Sequence, residues 1–135
     1  MYRTVLTFKT NTREFKNITD SVSAAIKNHA PETGLCHLFI QHTSASLIIS
    51  ENSDPDVLTD LENYMSRLVK DGDNLFRHTA EGEDDMSAHI RTILTETSLM
   101  IPIQNYSLAL GTWQGIFLWE HRFGPHKRKV VMSVF

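Results

Sequence analysis

Apolar and polar residues alternate with a period of two along much of the chain, the pattern that predicts β-strands. Residues 2–9 (YRTVLTFK) and 12–18 (TREFKNI) alternate on either side of a turn-like TN pair, and we interpret them as a first hairpin. Residues 35–42 (LCHLFIQH) predict a buried strand, and the apolar stretch at 47–49 predicts another. The remaining predicted strands are SLMIPI, YSLAL, GIFLWEH and RKVVMSV, which are separated by turn-forming residues.

Apolar residues at helical spacing mark three other segments. They are SVSAAIKNHA (21–30), DVLTDLENYMSRLVK (56–70) and DMSAHIRTILTET (85–97). Thr19 or Asp20 can cap the first helix, and the second follows Asp54 as a cap with Pro55 at the first helical position. Between the second and third helices, residues 71–84 form a polar loop of about a dozen residues, a length that is typical of functional loops.

Length, composition and charge narrow the possible classes of protein. With 135 residues, 41% hydrophobic and 21% charged, the chain has the balance of a single globular domain covering residues 1–135. The net charge of -3 argues against nucleic acid as the main partner, because no broad basic surface offsets a phosphate backbone.

No apolar run approaches the roughly 20 residues that span a bilayer, and a signal peptide is not recognisable, so we predict a cytoplasmic protein without a membrane partner. The single cysteine, Cys36, is predicted to be buried.

Three histidines are candidates for a metal site. His42 shares one side of its predicted strand with Ile40, and His89 lies between Met86 and Ile93 on the apolar face of the third helix, so both should point inward. His78 lies in the long loop just before the third helix. Three imidazoles from strand, loop and helix would form a divalent-metal site with an open position for water or substrate. The alternative is that each inward histidine is neutral and bonded to a backbone carbonyl.

Several carboxylates lie at the ends of predicted elements. Glu51 follows the strand at 47–49 in the phase of the core and therefore needs a partner. Asp54 has the simpler role of a helix cap. The acid run EGEDD at 81–85 favours a solvated helix N-terminus over a metal cage. Glu120 ends an apolar strand as Glu51 does, which makes it a further candidate.

Two other segments indicate ligand binding. Gly111 and Gly115 bracket Thr112 and Gln114, so the backbone can turn tightly there and bring its amides close to phosphate oxygens. The basic run HKRK at 126–129 is either a solvated strand end or a patch that attracts an anionic substrate.

The strings QHTSASL (41–47), ENSDPD (51–56), HTAEGEDDMSAHI (78–90) and GTWQGIFLWEHR (111–122) closely resemble the YjbQ family, the secondary thiamine-phosphate synthases. The resemblance runs in order from about Tyr2 to Val134. It implies a single α+β domain with a mixed, sandwich-like β-sheet system and about three helices. It also implies a homotrimer with a cluster of histidines and acids near a subunit boundary. His126 and Phe123 depart from the family's usual terminal hairpin, which has a basic residue and an acidic residue at these positions.

The resemblance gives the candidate residues their expected roles. The catalytic candidates are His42, Glu51, His89 and Glu120; the metal candidates are His42, His78 and His89; the substrate-binding candidates are Thr43, Ser44, Asp54, Gly111, Thr112, Gln114, Arg122 and Lys127. In these roles the histidines and Glu51 hold a divalent metal, Mg²⁺ or Zn²⁺, or the leaving group. The glycine-flanked turn and Gln114 orient a small phosphorylated substrate, and Arg122 or Lys127 meets its phosphate.

The leading functional hypothesis is a transferase like the family's reported activity, joining hydroxymethylpyrimidine diphosphate to a thiazole phosphate with release of pyrophosphate, as a secondary activity. Departure of the diphosphate requires its charge to be neutralised, which a divalent ion and cationic side chains can do. Two alternatives stay open: a non-catalytic, trimeric metal- or anion-binding module, and a metal-dependent hydrolase. Closed four-ligand coordination would favour the module, and an open position beside a pocket would favour either enzyme.

Overall fold

The computed structural model describes all 135 residues and contains eight strands and three helices. The strands are β1 (Tyr2–Thr10), β2 (Glu14–Asn17), β3 (Thr33–Ile40), β4 (Ala45–Glu51), β5 (Ser98–Gln104), β6 (Ser107–Leu108), β7 (Gln114–Glu120) and β8 (His126–Val134). The helices are α1 (Thr19–Ile26), α2 (Pro55–Leu68) and α3 (Glu83–Leu94). The α+β class and the three helices confirm the prediction, and the segments predicted as strands all contain one.

The strands form two sheets, one in the order β1-β8-β3-β5-β6 and the other in the order β2-β7-β4. Every pairing is antiparallel, where a mixed sheet system was expected. The predicted first hairpin is wrong, because β1 pairs with β8 while β2 pairs with β7. The short link between β1 and β2 carries the chain from one sheet to the other. An alternating pattern identifies a strand but does not identify its partner.

The hydrophobic core lies between the inner faces of the two sheets and is closed by α1. It contains sixteen buried residues, among them Ile18, Leu38, Leu118 and Met132. Cys36 on β3 belongs to this core and has no exposed surface, as predicted. Burial raises the pKa of its thiol to about 11, so it remains protonated.

Strand β7 is buried on both faces, which explains its continuous apolar sequence GIFLW. Ile116 and Leu118 point into the core between the sheets. Trp119 lies on the opposite face, where its ring stacks on Phe15 of β2 at 4.3 Å and its Nε1 donates to Glu62 of α2 at 3.3 Å. The helices α2 and α3 therefore cover the outer face of the three-stranded sheet.

Helix α2 begins as predicted. Asp54 caps it by accepting a hydrogen bond from the Asp56 amide at 2.9 Å, and Pro55 occupies the first helical position. None of the residues of α2 is fully buried, although its apolar stripe was expected to pack inward. None of the three helices combines the length and the hydropathy needed to cross a membrane.

Helix α3 presents the opposite face from the one predicted. Ile93 is 80% exposed, whereas Asp85, Ser87 and Arg91 are buried. Arg91 is held by Glu62 of α2 at 2.8 Å, so polar contacts between the two helices replace the expected apolar packing. An apolar stripe of moderate strength did not decide the inward face, because the buried charges have specific partners.

Candidate metal centre

Two histidines and one aspartate converge at the N-terminal half of α3. The Nε2 atoms of His78 and His89 lie 2.7 Å and 3.2 Å from the same oxygen, Oδ2 of Asp85. One ligand atom from each of the three residues lies within 4.8 Å of the others, so these side chains could hold a single ion. We call these three residues the metal cluster. The sequence predicted that His78 and His89 would meet, and the structure brings them together.

The local fold explains how the metal cluster is assembled. Asp85 and His89 are four residues apart on α3, so their side chains lie on one face of the helix. His78 comes from the loop before α3 and reaches Asp85 from outside the helix. Gly82 precedes the first residue of α3 with a φ of 105°, a backbone conformation that favours glycine. This glycine allows the loop to fold back over the start of the helix.

The ring of His89 is oriented by the backbone. Its Nδ1 lies 2.9 Å from the carbonyl oxygen of Thr43, in the turn between β3 and β4, and a carbonyl can only accept a hydrogen bond. The proton of a neutral ring is therefore assigned to Nδ1, which leaves a lone pair on Nε2 facing the carboxylate of Asp85. Such a backbone contact on the far nitrogen is typical of metal-binding histidines. Thr43 contributes through its carbonyl rather than its side chain.

Arg122 holds the carboxylate of Asp85 from the other side. Its Nη1 donates to Oδ1 of Asp85 at 2.8 Å, and its Nε donates to Oδ2 of Asp84 at 2.9 Å. Burial raises the pKa of Asp85, but hydrogen bonding from His78 and the charge of Arg122 outweigh this effect and hold it below the usual value. Asp85 therefore remains ionised, and Arg122, predicted to meet substrate phosphate, is engaged by carboxylates instead.

His42 and Glu120 lie in a second polar cluster, around Arg128 of β8. Glu120 has no exposed surface and accepts hydrogen bonds from Arg128 and from Thr10, the latter at 2.6 Å. Arg128 also donates to Ser44 Oγ at 3.0 Å and lies 3.4 Å from Nδ1 of His42. Burial raises the pKa of Glu120, but the hydrogen bonds from Arg128 and Thr10 have the larger effect and hold it below its usual value. The carboxylate is therefore ionised although it is enclosed. His42 is not a member of the metal cluster.

Glu51 and Asp54 also lie outside the metal cluster. Glu51 Oε2 accepts hydrogen bonds from the amides of Ser53 and Asp54, at 3.2 Å and 2.8 Å. Its partner is thus the backbone leading into α2, which satisfies the carboxylate without an ion. Asp54 is the helix cap described above.

The predicted glycine turn lies between β6 and β7. Gln114 folds back so that its Oε1 accepts a hydrogen bond from the Gly111 amide at 2.8 Å. Thr112 is exposed within this turn. Lys127 is exposed on β8, where it lines a cavity that contains none of the three metal-cluster residues.

Asp85 is the site residue that sequence reasoning missed. The run EGEDD was interpreted as a solvated helix start, and Asp85 was not separated from its acidic neighbours. The available signal was its spacing of four from His89, which places the two side chains on one helix face. Asp84, by contrast, is engaged by Arg122 and by the Phe123 amide at 2.8 Å. The pattern of charges along the sequence does not show which acid is bonded to an arginine and which is bonded to histidines.

A cavity of about 330 Å³ lies beside the metal cluster and shares His78 with it. Its lining is polar and acidic, with Asp73, Thr79 and Glu83 contributing side chains and Phe76 the only hydrophobic one. A small polar molecule can therefore reach the exposed side of His78.

Similar proteins of the same description match nearly the whole chain. A UPF0047 protein of Synechocystis is 50% identical over 133 residues, which covers 98% of this chain and 90% of that protein. The UPF0047 protein YjbQ of Salmonella typhimurium is 40% identical over 134 residues, covering 98% and 96%.

Solved structures show the same fold. A crystal structure of a YjbQ/UPF0047 family protein from Clostridium acetobutylicum superposes with a TM-score of 0.84 at 33% identity, covering 96% of this chain and 99% of that one. A hypothetical protein from Aeropyrum pernix superposes with a TM-score of 0.90 at 26% identity, covering 100% and 98%. The family description "UPF0047 protein YjbQ-like" matches residues 4–135. This chain therefore belongs to the YjbQ family.

Proposed function

We propose that the metal cluster binds one divalent ion and that this site serves a transferase reaction on a phosphorylated substrate, of the thiamine-phosphate-synthase type. The observation that carries the proposal is the convergence of His78, Asp85 and His89 within 4.8 Å. The specific reaction rests on the resemblance of the sequence to the family. It joins hydroxymethylpyrimidine diphosphate to a thiazole phosphate and releases pyrophosphate.

The geometry around Asp85 supports a bound cation. With the proton of His89 on Nδ1, the lone pair of Nε2 and the Oδ2 oxygen of Asp85 face each other at 3.2 Å. Two acceptors in this arrangement repel each other unless a proton or a metal ion lies between them. A metal ion would satisfy both atoms and the nearby Nε2 of His78 together.

The donor set favours Zn²⁺ over Mg²⁺. Two of its three donors are imidazole nitrogens, which suit zinc and similar transition metals, whereas Mg²⁺ prefers an octahedron of oxygen ligands. Three protein ligands with an open fourth position are typical of catalytic rather than structural zinc sites. A divalent ion in such a site would supply charge stabilisation to a departing diphosphate.

The chain's own residues have defined roles in this proposal. The Thr43 carbonyl fixes the ring of His89, and Arg122 fixes the carboxylate of Asp85, so two of the three ligands are held before an ion binds. The cavity beside His78 provides room for the substrate. Its acidic lining suits the amino and hydroxyl groups of a substrate better than its phosphates.

The test has a binding arm and an activity arm. We expect purified protein to bind about one Zn²⁺ per chain by isothermal titration calorimetry, and Asp85→Asn and His89→Ala to abolish binding. With both precursors and the metal-loaded protein, thiamine phosphate should form, and the same two variants should not form it. His29→Ala, which removes an exposed histidine stacked on Tyr2, is the matched control.

The outcomes separate the two parts of the proposal. Absence of stoichiometric Zn²⁺ binding would overturn the metal site. Metal binding without thiamine phosphate would overturn the transferase and favour the binding module or a hydrolase of another substrate. Product formation that survives in Asp85→Asn would place the chemistry elsewhere in the molecule.

A further inference from the structure

We propose that a basic cavity at the end of β1 and the start of β8 is a phosphoryl-binding site, which takes phosphate or diphosphate groups independently of the metal cluster. The cavity has a volume of about 360 Å³ and is lined by Lys9, Thr10, Asn11, Pro125, His126 and Lys127. No lining residue is acidic. We call it the lysine cavity.

The strand register places two lysines directly against each other. In the antiparallel pair of β1 and β8, Lys9 lies opposite Lys127, so their side chains extend from the same face of the sheet as nearest neighbours. Like charges in directly opposed positions destabilise a sheet. Neither ammonium group forms an ion pair that would offset this repulsion. An anion bound between them would do so.

Further positive charge surrounds this pair. The ammonium group of Lys16 on β2 donates to the backbone carbonyl of Lys9 at 2.8 Å, which brings a third cation to the same strand end. His126 contributes an imidazole whose Nδ1 lies 3.1 Å from the Gly124 carbonyl. The Nδ1 proton of a neutral ring is satisfied there, which leaves Nε2 available to a ligand.

The nearest carboxylate does not neutralise the lysine cavity. Glu120 lies behind Thr10, and its oxygens are bonded by Arg128, by Thr10 and by the Arg122 amide, while Nδ1 of His126 lies further away, 3.8 Å from Oε1. Its charge is thus balanced by Arg128 in the protein interior. The lysines in front of it form no ion pair with it.

Lysines beside a free sheet edge commonly prevent strand-to-strand aggregation. Strand β1 is an edge strand that carries Lys9, and β8 pairs with β3 only from Val130 onwards, so Lys127 also lies outside the part of β8 that is paired on both sides. Edge protection does not require the two lysines to lie directly opposite each other, and this opposed position is the one whose repulsion a bound anion offsets.

The ligand chemistry is a compact anion with several oxygen acceptors. Ammonium groups bind phosphate through charge-assisted hydrogen bonds. Inorganic pyrophosphate and a phosphate monoester such as a thiazole phosphate share this chemistry. The identification of either as the natural ligand rests on the proposed function, whereas the cavity itself does not.

The experiment is a calorimetric titration of metal-free protein, in EDTA and at low ionic strength, with inorganic pyrophosphate and separately with the thiazole phosphate. We expect binding of at least one, weakened about tenfold or more by Lys127→Ala, since each lost charge-assisted contact has an effect of that order. Lys70→Ala, which removes an exposed lysine at the end of α2, is the charge-matched control. The ligand that binds more tightly identifies the source of the phosphoryl group.

A second variant separates binding from folding. Lys9→Glu places opposite charges across the two strands, so its melting temperature should be equal to or above that of the wild type while anion binding is lost. Asp85→Asn and His89→Ala should bind the anion as the wild type does, even if the metal site or the transferase proposal fails. The proposal is overturned if the wild type binds neither anion, if Lys9→Glu binds them normally, or if only the metal-cluster variants lose binding.

Discussion

A single carboxylate organises the metal cluster by using its two oxygens for different partners. Oδ1 of Asp85 receives Arg122, and Oδ2 faces the two histidines. The arginine keeps the carboxylate ionised and prevents its rotation, so Oδ2 stays aimed at His78 and His89. Arg122 is therefore a positioning residue for the proposed ligand, and its effect on metal affinity is measurable.

Replacing Arg122 by lysine should weaken Zn²⁺ binding by about 10- to 100-fold, the range typical of residues that orient a metal ligand. Lysine keeps the charge but cannot bridge Asp84 and Asp85 with a planar fork. Competition with a chromophoric chelator gives the affinity, and Arg67→Lys, on the exposed side of α2, is the control. Equal affinity of wild type and Arg122→Lys would contradict the positioning role.

His121 makes folding stability depend on pH. It has no exposed surface, its Nε2 contacts Ser46 Oγ at 2.8 Å, and its Nδ1 has no partner. Burial, together with the nearby charge of Arg91, lowers its pKa from 6.5 to about 2. The unfolded chain therefore takes up a proton below pH 6.5 that the folded protein does not, so stability falls as the pH falls through this range.

From about pH 7 to about pH 5 this one residue should cost about 2 kcal/mol of unfolding free energy. The carboxylates whose pKa values are lowered, such as Glu120, remain ionised over that interval and add little. Urea unfolding of metal-free protein at both pH values, for wild type and His121→Gln, gives the difference. A variant with the same pH dependence as the wild type would show that His121 is not the cause.

The meeting of His78 and His89 was predictable, because His78 lies in the loop that immediately precedes α3. The inward orientation of His89 was not, since α3 buries another face and the His89 side chain is 32% exposed. His42 lies two residues beyond the end of β3 at Ile40, where the two-residue period no longer fixes direction. Instead it turns to the backbone amide of Lys129, which donates to its Nε2 at 2.8 Å.

At the scale of elements, the sequence predicted features that depend on neighbouring residues and failed for features that depend on contacts between distant segments. The start of α2 depends on Asp54 and Pro55, which act within one turn, and the prediction was confirmed. The pairing of β1 and β2 depends on strands more than a hundred residues away, and the predicted hairpin was wrong. The buried face of α3 depends on the contact between Arg91 and Glu62, which no periodicity indicates.

The cap of α2 is a testable element-scale feature. Asp54→Ala should lower the unfolding free energy by about 0.5 to 2 kcal/mol, because the Asp56 amide loses its acceptor. Asp60→Ala, at an exposed position further along the same helix, removes an equal charge without a cap and should change it far less. Chemical denaturation measures both. A loss no larger for Asp54→Ala than for Asp60→Ala would contradict the capping role.

At the scale of the whole molecule, the neighbouring helices α2 and α3 leave large apolar side chains in water. Tyr64 and Leu68 on α2 are 61% and 60% exposed, and Ile93 and Leu94 on α3 are 80% and 55% exposed. Large exposed apolar side chains on neighbouring helices are a feature of interaction sites. We propose that these side chains form the contact surface of the homotrimer that the family resemblance implies.

We expect light scattering after size-exclusion chromatography to give a trimer at micromolar concentration. Leu68→Glu combined with Ile93→Glu should shift it towards monomer, because each places a charge in an apolar contact. Thr59→Glu, at an exposed position of α2, is the control. A monomeric wild type would contradict the trimer, and a trimer that both glutamates leave intact would place the interface on another surface.

The buried position of Cys36 makes its thiol a probe of opening of the folded protein. Its thiol is the only one in the chain. It lies on β3 with no exposed surface, and it is protonated because burial raises its pKa to about 11. Only the thiolate reacts quickly with alkylating reagents, so the folded protein should be inert to them. Labelling therefore requires β3 to open, and where the reagent reacts faster than the strand recloses, the labelling rate in native buffer gives the rate of that opening.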